Sequence, residues 1–191
     1  MIDSLYEPFK KWSETGSIYL ISDLHFDDEH CKSMDINWVT PDEQVDIINS
    51  IVMLNDTFIC LGDVGNPEYI NKINSRYKVL ILGNHDKMST YKNYFNEIYS
   101  GPLLVSDRIL LSHEPIHGLR WCLNIHGHDH NNEEPYDNKC KYLNLAVNRC
   151  GYTPVSLGEL IKQGALSGIS NLHRITIDSK SESKKRKSFV L

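Results

Sequence analysis

The stretch SIYLISDLH, Ser17 to His25, runs from β-forming residues straight into an aspartate and a histidine. A short apolar run that ends abruptly in charge predicts a buried strand. Residues at i and i+2 of an extended end share a face, so Asp23 and His25 can grip one object. The same design returns in TFICLGD (Thr57 to Asp63), KVLILGNHD (Lys78 to Asp86) and RILLSH (Arg108 to His113). CLNI (Cys122 to Ile125) leads into HGHDH (His126 to His130), and YLNLAV (Tyr142 to Val147) completes the set. In α/β proteins ligands collect beyond the carboxyl ends of strands.

Helical signals sit between these runs. TPDEQVDIINSIVML starts at Thr40 with a capping threonine, Pro41 at the first helical position and Glu43 three residues after the cap. Val45, Ile48, Ile51 and Val52 then recur at helical spacing. SLGELIKQ, from Ser156 with Glu159 in the capping-box position, predicts a second helix. Strands alternating with helices, then closely spaced strands, give an α/β sandwich with a mixed β-sheet core flanked by α-helices.

The chain has 191 residues, the size of one domain, which we place at 1–178. The end, DSKSESKKRKSFVL, is polar and basic, and residues 179–191 are expected to form a flexible tail. No run approaches the roughly 18 apolar residues of a membrane span, and MIDSLYEPFKKW lacks the pattern of a secretory signal. A cytoplasmic protein with no membrane partner is the expectation. The five cysteines, Cys31, Cys60, Cys122, Cys140 and Cys150, contain no CxxC pair and read as buried free thiols. A formal charge of −5 gives no global signal for nucleic acid.

Any one polar strand end, taken alone, is an ordinary turn. Five successive segments that pair an apolar strand with metal-capable side chains are not. The ordered set Asp23-Leu24-His25, Gly62-Asp63, Gly83-Asn84-His85-Asp86, His113 and Gly127-His128-Asp129-His130 resembles that of the calcineurin-like metallophosphoesterases, over about Ile18 to His130. NLAVNRCGYTPVSLGELI is similar to the C-terminal strand and helix of small bacterial and phage members. An acid often stands near Asn148 there, and the amide departs from that pattern.

The resemblance implies two divalent metals, one held by Asp23, His25 and His130, the other by Asn84, His113 and His128, with Asp63 bridging. Oxygen and imidazole donors suit Mn²⁺, Fe, Zn²⁺ or Ni²⁺, and Mn²⁺ is the working choice. Such a pair clamps the ester oxygens and acidifies a water that attacks phosphorus. The resemblance also implies His85 as the general acid, and Asp86 is expected to accept from its other ring nitrogen and hold its orientation.

His126 has no family ligand position and is expected to pack or to support a ligand. Asp129 is expected to point away. His30, His117 and His173 are expected to be surface or locally bonded. Asp27 and Asp28 could repel highly charged substrates; Lys32 and Arg120 are candidate phosphate contacts. The partner these features favour is a small, nucleotide-like phosphate ester, cleaved as a diester or a monoester. The rivals are a nuclease using the basic Lys184 to Lys187, a silent metal-binding scaffold, and a zinc knuckle from Cys122, His126, His128, His130 and Cys140. Oligomeric state is not written in the sequence.

Overall fold

The computed structural model describes residues 1–131 and 141–172. Cys140, His173 and the basic tail lie outside the described residues. Two β-sheets pack face to face. The first holds β1 (Ile18–Ile21), β2 (Thr57–Cys60), β3 (Tyr77–Ile81) and β4 (Glu97–Tyr99), all parallel. The second holds β5 (Leu103–Ser106), β6 (Ile109–Leu111), β7 (Leu123–His126) and β8 (Lys141–Asn144), in that spatial order. β5 is antiparallel to β6, while β6, β7 and β8 run parallel. β9 (Val155–Ser156) returns antiparallel on β1.

The strands read as unbroken apolar runs because both of their faces are covered. Ile18 and Leu20 of β1, with Ile59, Leu61, Val79 and Ile81, meet Val105, Ile109, Leu111, Leu123, Ile125 and Leu145 of the second sheet. On the opposite face Ile21, Phe58, Cys60 and Leu80 pack against Val45, Ile48 and Val52. The short helices are α1 (Cys31–Met34), α2 (Pro41–Asn49), α3 (Met88–Tyr91) and α4 (Leu157–Lys162). α2 carries the full capping box from Thr40 and Glu43. A helix of this length is unstable alone, and burying a side chain such as Ile48 contributes roughly 1.5–3 kcal/mol to docking it.

The expected strands all form. The sequence reading missed β4, β5 and β9, which are three, four and two residues long; β4 and β9 lack the apolar run that marks the others, whereas β5 has one in Leu103 to Val105. The expected α/β sandwich with mixed sheets flanked by helices forms, its core lying between the two sheets. They are stitched together beyond β1, where Ser22 N donates to Leu145 O (2.9 Å) and Val147 N donates to Ser22 O (3.0 Å). This seam brings the carboxyl ends of both sheets to one edge. Among the described residues no helix is long and apolar enough to cross a membrane. Cys31, Cys60 and Cys122 are buried free thiols and Cys150 a half-buried one.

Candidate metal centre

The site is made of turns that leave the strands. The turns after β1 and β2 are zipped together: Asp23 N donates to Gly62 O (2.9 Å), His25 N to Asp63 O (3.0 Å) and Phe26 N to Val64 O (3.0 Å). Asp23, His25, Asp63 and His128 all have positive φ, at 59°, 43°, 53° and 69°. Aspartate and histidine tolerate this region better than branched residues, yet each such residue costs of order 1 kcal/mol. Four strained residues in one place fix side-chain direction where backbone stability alone would choose otherwise. Two glycines permit the close approach. A Cβ on Gly83 would collide with the Asp63 carboxylate and backbone, and one on Gly127 with Ser22 and the Asp23 carboxylate.

Asp23, His25 and His130 form one donor group. Asp23 is fully buried; its Oδ2 accepts from His128 N (2.8 Å), and its Oδ1 lies 3.5 Å from His130 Nε2 and 4.0 Å from His25 Nε2. Asp63, His113 and His128 form the other group. Asn84 joins it, with Oδ1 2.8 Å from His113 Nε2 and 3.2 Å from His128 Nδ1. Asp63 stands between the groups: its Oδ2 is 3.7 Å from His25 Nε2 and 3.4 Å from His113 Nε2. All seven residues that the family resemblance named as ligands therefore converge, divided as it implied.

Three of the histidines have Nδ1 engaged on the outside, so Nε2 is the nitrogen turned toward the centre. His113 Nδ1 donates to Leu61 O (2.9 Å), His25 Nδ1 to Asp28 Oδ2 (3.1 Å) and His130 Nδ1 to Asn148 Oδ1 (3.0 Å). Asn148 Nδ2 in turn donates to His130 O (3.1 Å), so the amide fixes both ring and backbone. Such outer contacts set tautomer and orientation. The sequence reading missed Asp28 in this role and treated Asn148 only as a departure; a polar residue near a ligand gave no sign of which nitrogen it would hold. Trp38 was missed too. Its ring centroid lies 6.1 Å from His25 and 5.6 Å from His130, walling this side of the centre.

His85 stands at the open side, its side chain 67% exposed and its Nε2 4.0 Å from Asp63 Oδ2. Asp86 does not hold the His85 ring as expected. Its Oδ2 accepts from Asp63 N (2.8 Å) and Gly83 N (2.9 Å), its Oδ1 from Val64 N (3.2 Å), and it makes no hydrogen bond to the His85 ring. The correction is physical: the strained Asp63 turn leaves backbone N–H groups pointing inward, and the nearest carboxylate satisfies them. His126 is buried, with Nδ1 2.8 Å from Gly127 O and its ring 6.1 Å from that of Tyr142, a packing position.

Burial pushes the Asp63 carboxyl up, but the His113 ring, the His85 N–H and His25 hold it below its ordinary range. Asp23 is likewise lowered against burial, by His130 and His113. Burial lowers His25, outweighing its acidic neighbours. His113 goes the other way: burial opposes the charged ring, yet Asp63 and Asp23 raise it to about 9. His130 is raised by Asp23 against burial. Without a cation between them, these acids and imidazoles trade protons.

A cation fits this cluster. Asp23 Oδ1 and His25 Nε2 are buried polar atoms with no hydrogen-bond partner, and they face each other. Donors about 2.1 Å from one ion stand some 3–4 Å apart, the spacing seen here. Hard oxygens with imidazoles and no thiolate suit a first-row divalent ion.

The family model described as calcineurin-like phosphoesterase matches residues 16–148. The chain belongs to the calcineurin-like phosphoesterases. A solved structure similar to this calcineurin-like phosphoesterase is that of the protein of unknown function AQ665 from Aquifex aeolicus. It is 27% identical, with a TM-score of 0.66 over 77% of this chain and 98% of that one. No protein of curated description matches the sequence.

Proposed function

We propose that this calcineurin-like phosphoesterase hydrolyses a phosphodiester or phosphomonoester bond of a small, nucleotide-like substrate, using two divalent ions, with Mn²⁺ the first choice. The reading rests above all on the two donor groups, with Asp63 of one only 3.7 Å from His25 Nε2 of the other, and on the unpartnered, buried Asp23 Oδ1 and His25 Nε2. When bound, the ions supply positive charge to the ester oxygens and acidify a water for attack on phosphorus. Asp23, His25 and His130 would hold one, Asn84, His113 and His128 the other, and Asp63 both.

The chain's own residues do the rest. Asp28, Leu61 and Asn148 each engage the outer ring nitrogen of an imidazole, so the inner nitrogen is the one that would meet a cation, and His113, held charged by Asp63 and Asp23 in the metal-free protein, would give up its proton as the site fills. His85, exposed beside Asp63, is placed to hand a proton to an alkoxide that leaves on the open side. Its rotation is not locked by Asp86, so substrate binding itself orders the ring. We take the cytoplasm as the compartment, since the free thiols Cys31, Cys60 and Cys122 suit a reducing setting.

The test is hydrolysis by metal-stripped protein reloaded with Mn²⁺, comparing bis-p-nitrophenyl phosphate with p-nitrophenyl phosphate while counting bound metal. Metal-dependent turnover that is lost in Asp63→Ala supports the reading, and the preferred ester decides between diester and monoester. Two bound ions with no turnover of either ester refutes it.

A further inference from the structure

A pocket of about 250 Å³ opens beside His25, between the turn after β1 and the loop that leads into α2. Its walls include Asp27, Asp28, Glu29, Lys32, Trp38 and Thr40. It is smaller than the roughly 300–1,000 Å³ that holds a whole drug-sized ligand, so it suits one fragment of a substrate whose phosphate lies on the metal centre next door. We infer that this pocket takes the flat, neutral, N–H-bearing ring of the ester, a nucleobase, stacked on Trp38. The inference rests on the phosphoesterase reading and supplies its substrate class.

Trp38 is prepared for this. Its indole packs against His25, His130 and, edge-on at 5.9 Å, Tyr152, so it is held in place while one part of it stays open to the pocket. A ring fixed in advance loses little freedom on binding. Charge decides what kind of group enters. Three carboxylates, Asp27, Asp28 and Glu29, face one ammonium, Lys32. That balance repels a second phosphate and favours a neutral group with hydrogen-bond donors. Asp28 is already committed to His25 and to His30 N, and Asp27 to Asn66 and Tyr69. Glu29 has no hydrogen bond or ion pair among the described residues, which leaves its oxygens available to an exocyclic amino or imide N–H.

The experiment uses the Mn²⁺-loaded full chain and two diesters with the same leaving group, thymidine 5′-p-nitrophenyl phosphate and methyl p-nitrophenyl phosphate. Base stacking on an aromatic side chain is worth roughly 5- to 150-fold in affinity. Trp38→Ala should cut the preference for the thymidine ester, the ratio of its kcat/KM to that of the methyl ester, about tenfold or more whatever the loss common to both, while Trp38→Phe retains most of the preference. Equal losses on both esters overturn the inference, because Trp38 then only packs His25 and His130. A large loss in Lys32→Ala with none in Trp38→Ala also overturns it, in favour of a second phosphate. Calorimetric titration with thymidine 5′-monophosphate and with inorganic phosphate gives an independent reading. Tighter nucleotide binding that vanishes in Trp38→Ala, with neither ester turned over, keeps the pocket and removes the phosphoesterase reading. Turnover of both esters with no advantage for thymidine in KM or binding removes the pocket alone.

Discussion

Replacing Asp86 by asparagine separates two roles that a sequence motif cannot tell apart. If Asp86 oriented His85, the variant would fold normally, keep its metals and turn over slowly. The geometry gives it a different task. Its carboxylate accepts from Asp63 N at 2.8 Å, Gly83 N at 2.9 Å and Val64 N at 3.2 Å, so it clamps the turns that carry Asp63 and Asn84. Hydrogen bonds to a charged acceptor contribute roughly 1.5–3 kcal/mol each. The three are not additive, and half-buried Asp86 can be partly replaced by water, so about 3 kcal/mol is the expected loss for Asp86→Ala. Asparagine keeps one acceptor but turns an NH₂ toward backbone N–H groups, and should lose nearly as much. For a domain of this size that is a fall in Tm of about 6–12 °C. Calorimetric melting of the metal-free protein and metal content after dialysis are the two readings. Both should fall, with activity declining in proportion to retained metal. A variant with unchanged Tm and two metals but depressed kcat would refute the clamp and restore the dyad.

His85→Ala should keep both metals and the wild-type Tm while losing on the order of 10²-fold in kcat on esters with poor leaving groups; an equal loss on p-nitrophenyl esters would argue against the acid role. Asn148→Ala frees the His130 ring, and the affinity of one ion, read by competition with a chelating dye, should fall about 10- to 100-fold. Unchanged affinity would show that Trp38 alone holds that ring. Gly127→Ala drives a methyl into Ser22 and the Asp23 carboxylate, and at least about 2 kcal/mol of stability should go with it in denaturant unfolding; a neutral result would mean the turn relaxes freely. The pH dependence of the metal-free protein follows from His113, raised to about 9 by Asp63 and Asp23 against burial. A raised histidine contributes stability that is complete below its unfolded value near 6.5 and is lost as pH climbs through 9. The metal-free protein should therefore melt lower at pH 9 than at pH 6.5, and the loaded protein should not, because its imidazoles are already deprotonated. Parallel melting curves for the two forms would contradict this.

Much of the centre was legible because metal ligands are chemically distinctive and stand where apolar runs stop. Ile18 to Ile21 announced β1, and the residues after it announced Asp23 and His25. What escaped was everything whose meaning depends on direction. Asp28 and Asp86 are both carboxylates two or three residues from a candidate ligand, yet one holds an imidazole and the other holds backbone. Their spacing is silent about this, because positive φ at His25 and Asp63 reverses the local chain. Strands β4 and β9 escaped for another reason: they are ordered by their neighbours, Glu97 pairing with Val79 and Ser156 with Tyr19, rather than by any pattern of their own.

The hydrogen bond from His128 N to Asp23 Oδ2 spans 105 residues. During synthesis the chain emerges at roughly 5–20 residues per second, amino end first. Asp23, His25, Asp63 and Asn84 are therefore outside the ribosome before His113, His128 and His130 have been made. The early half of the centre is a row of oxygens with one imidazole. Only when the second sheet docks along the Ser22 seam do the later imidazoles arrive, so the centre as a whole exists only in the finished fold.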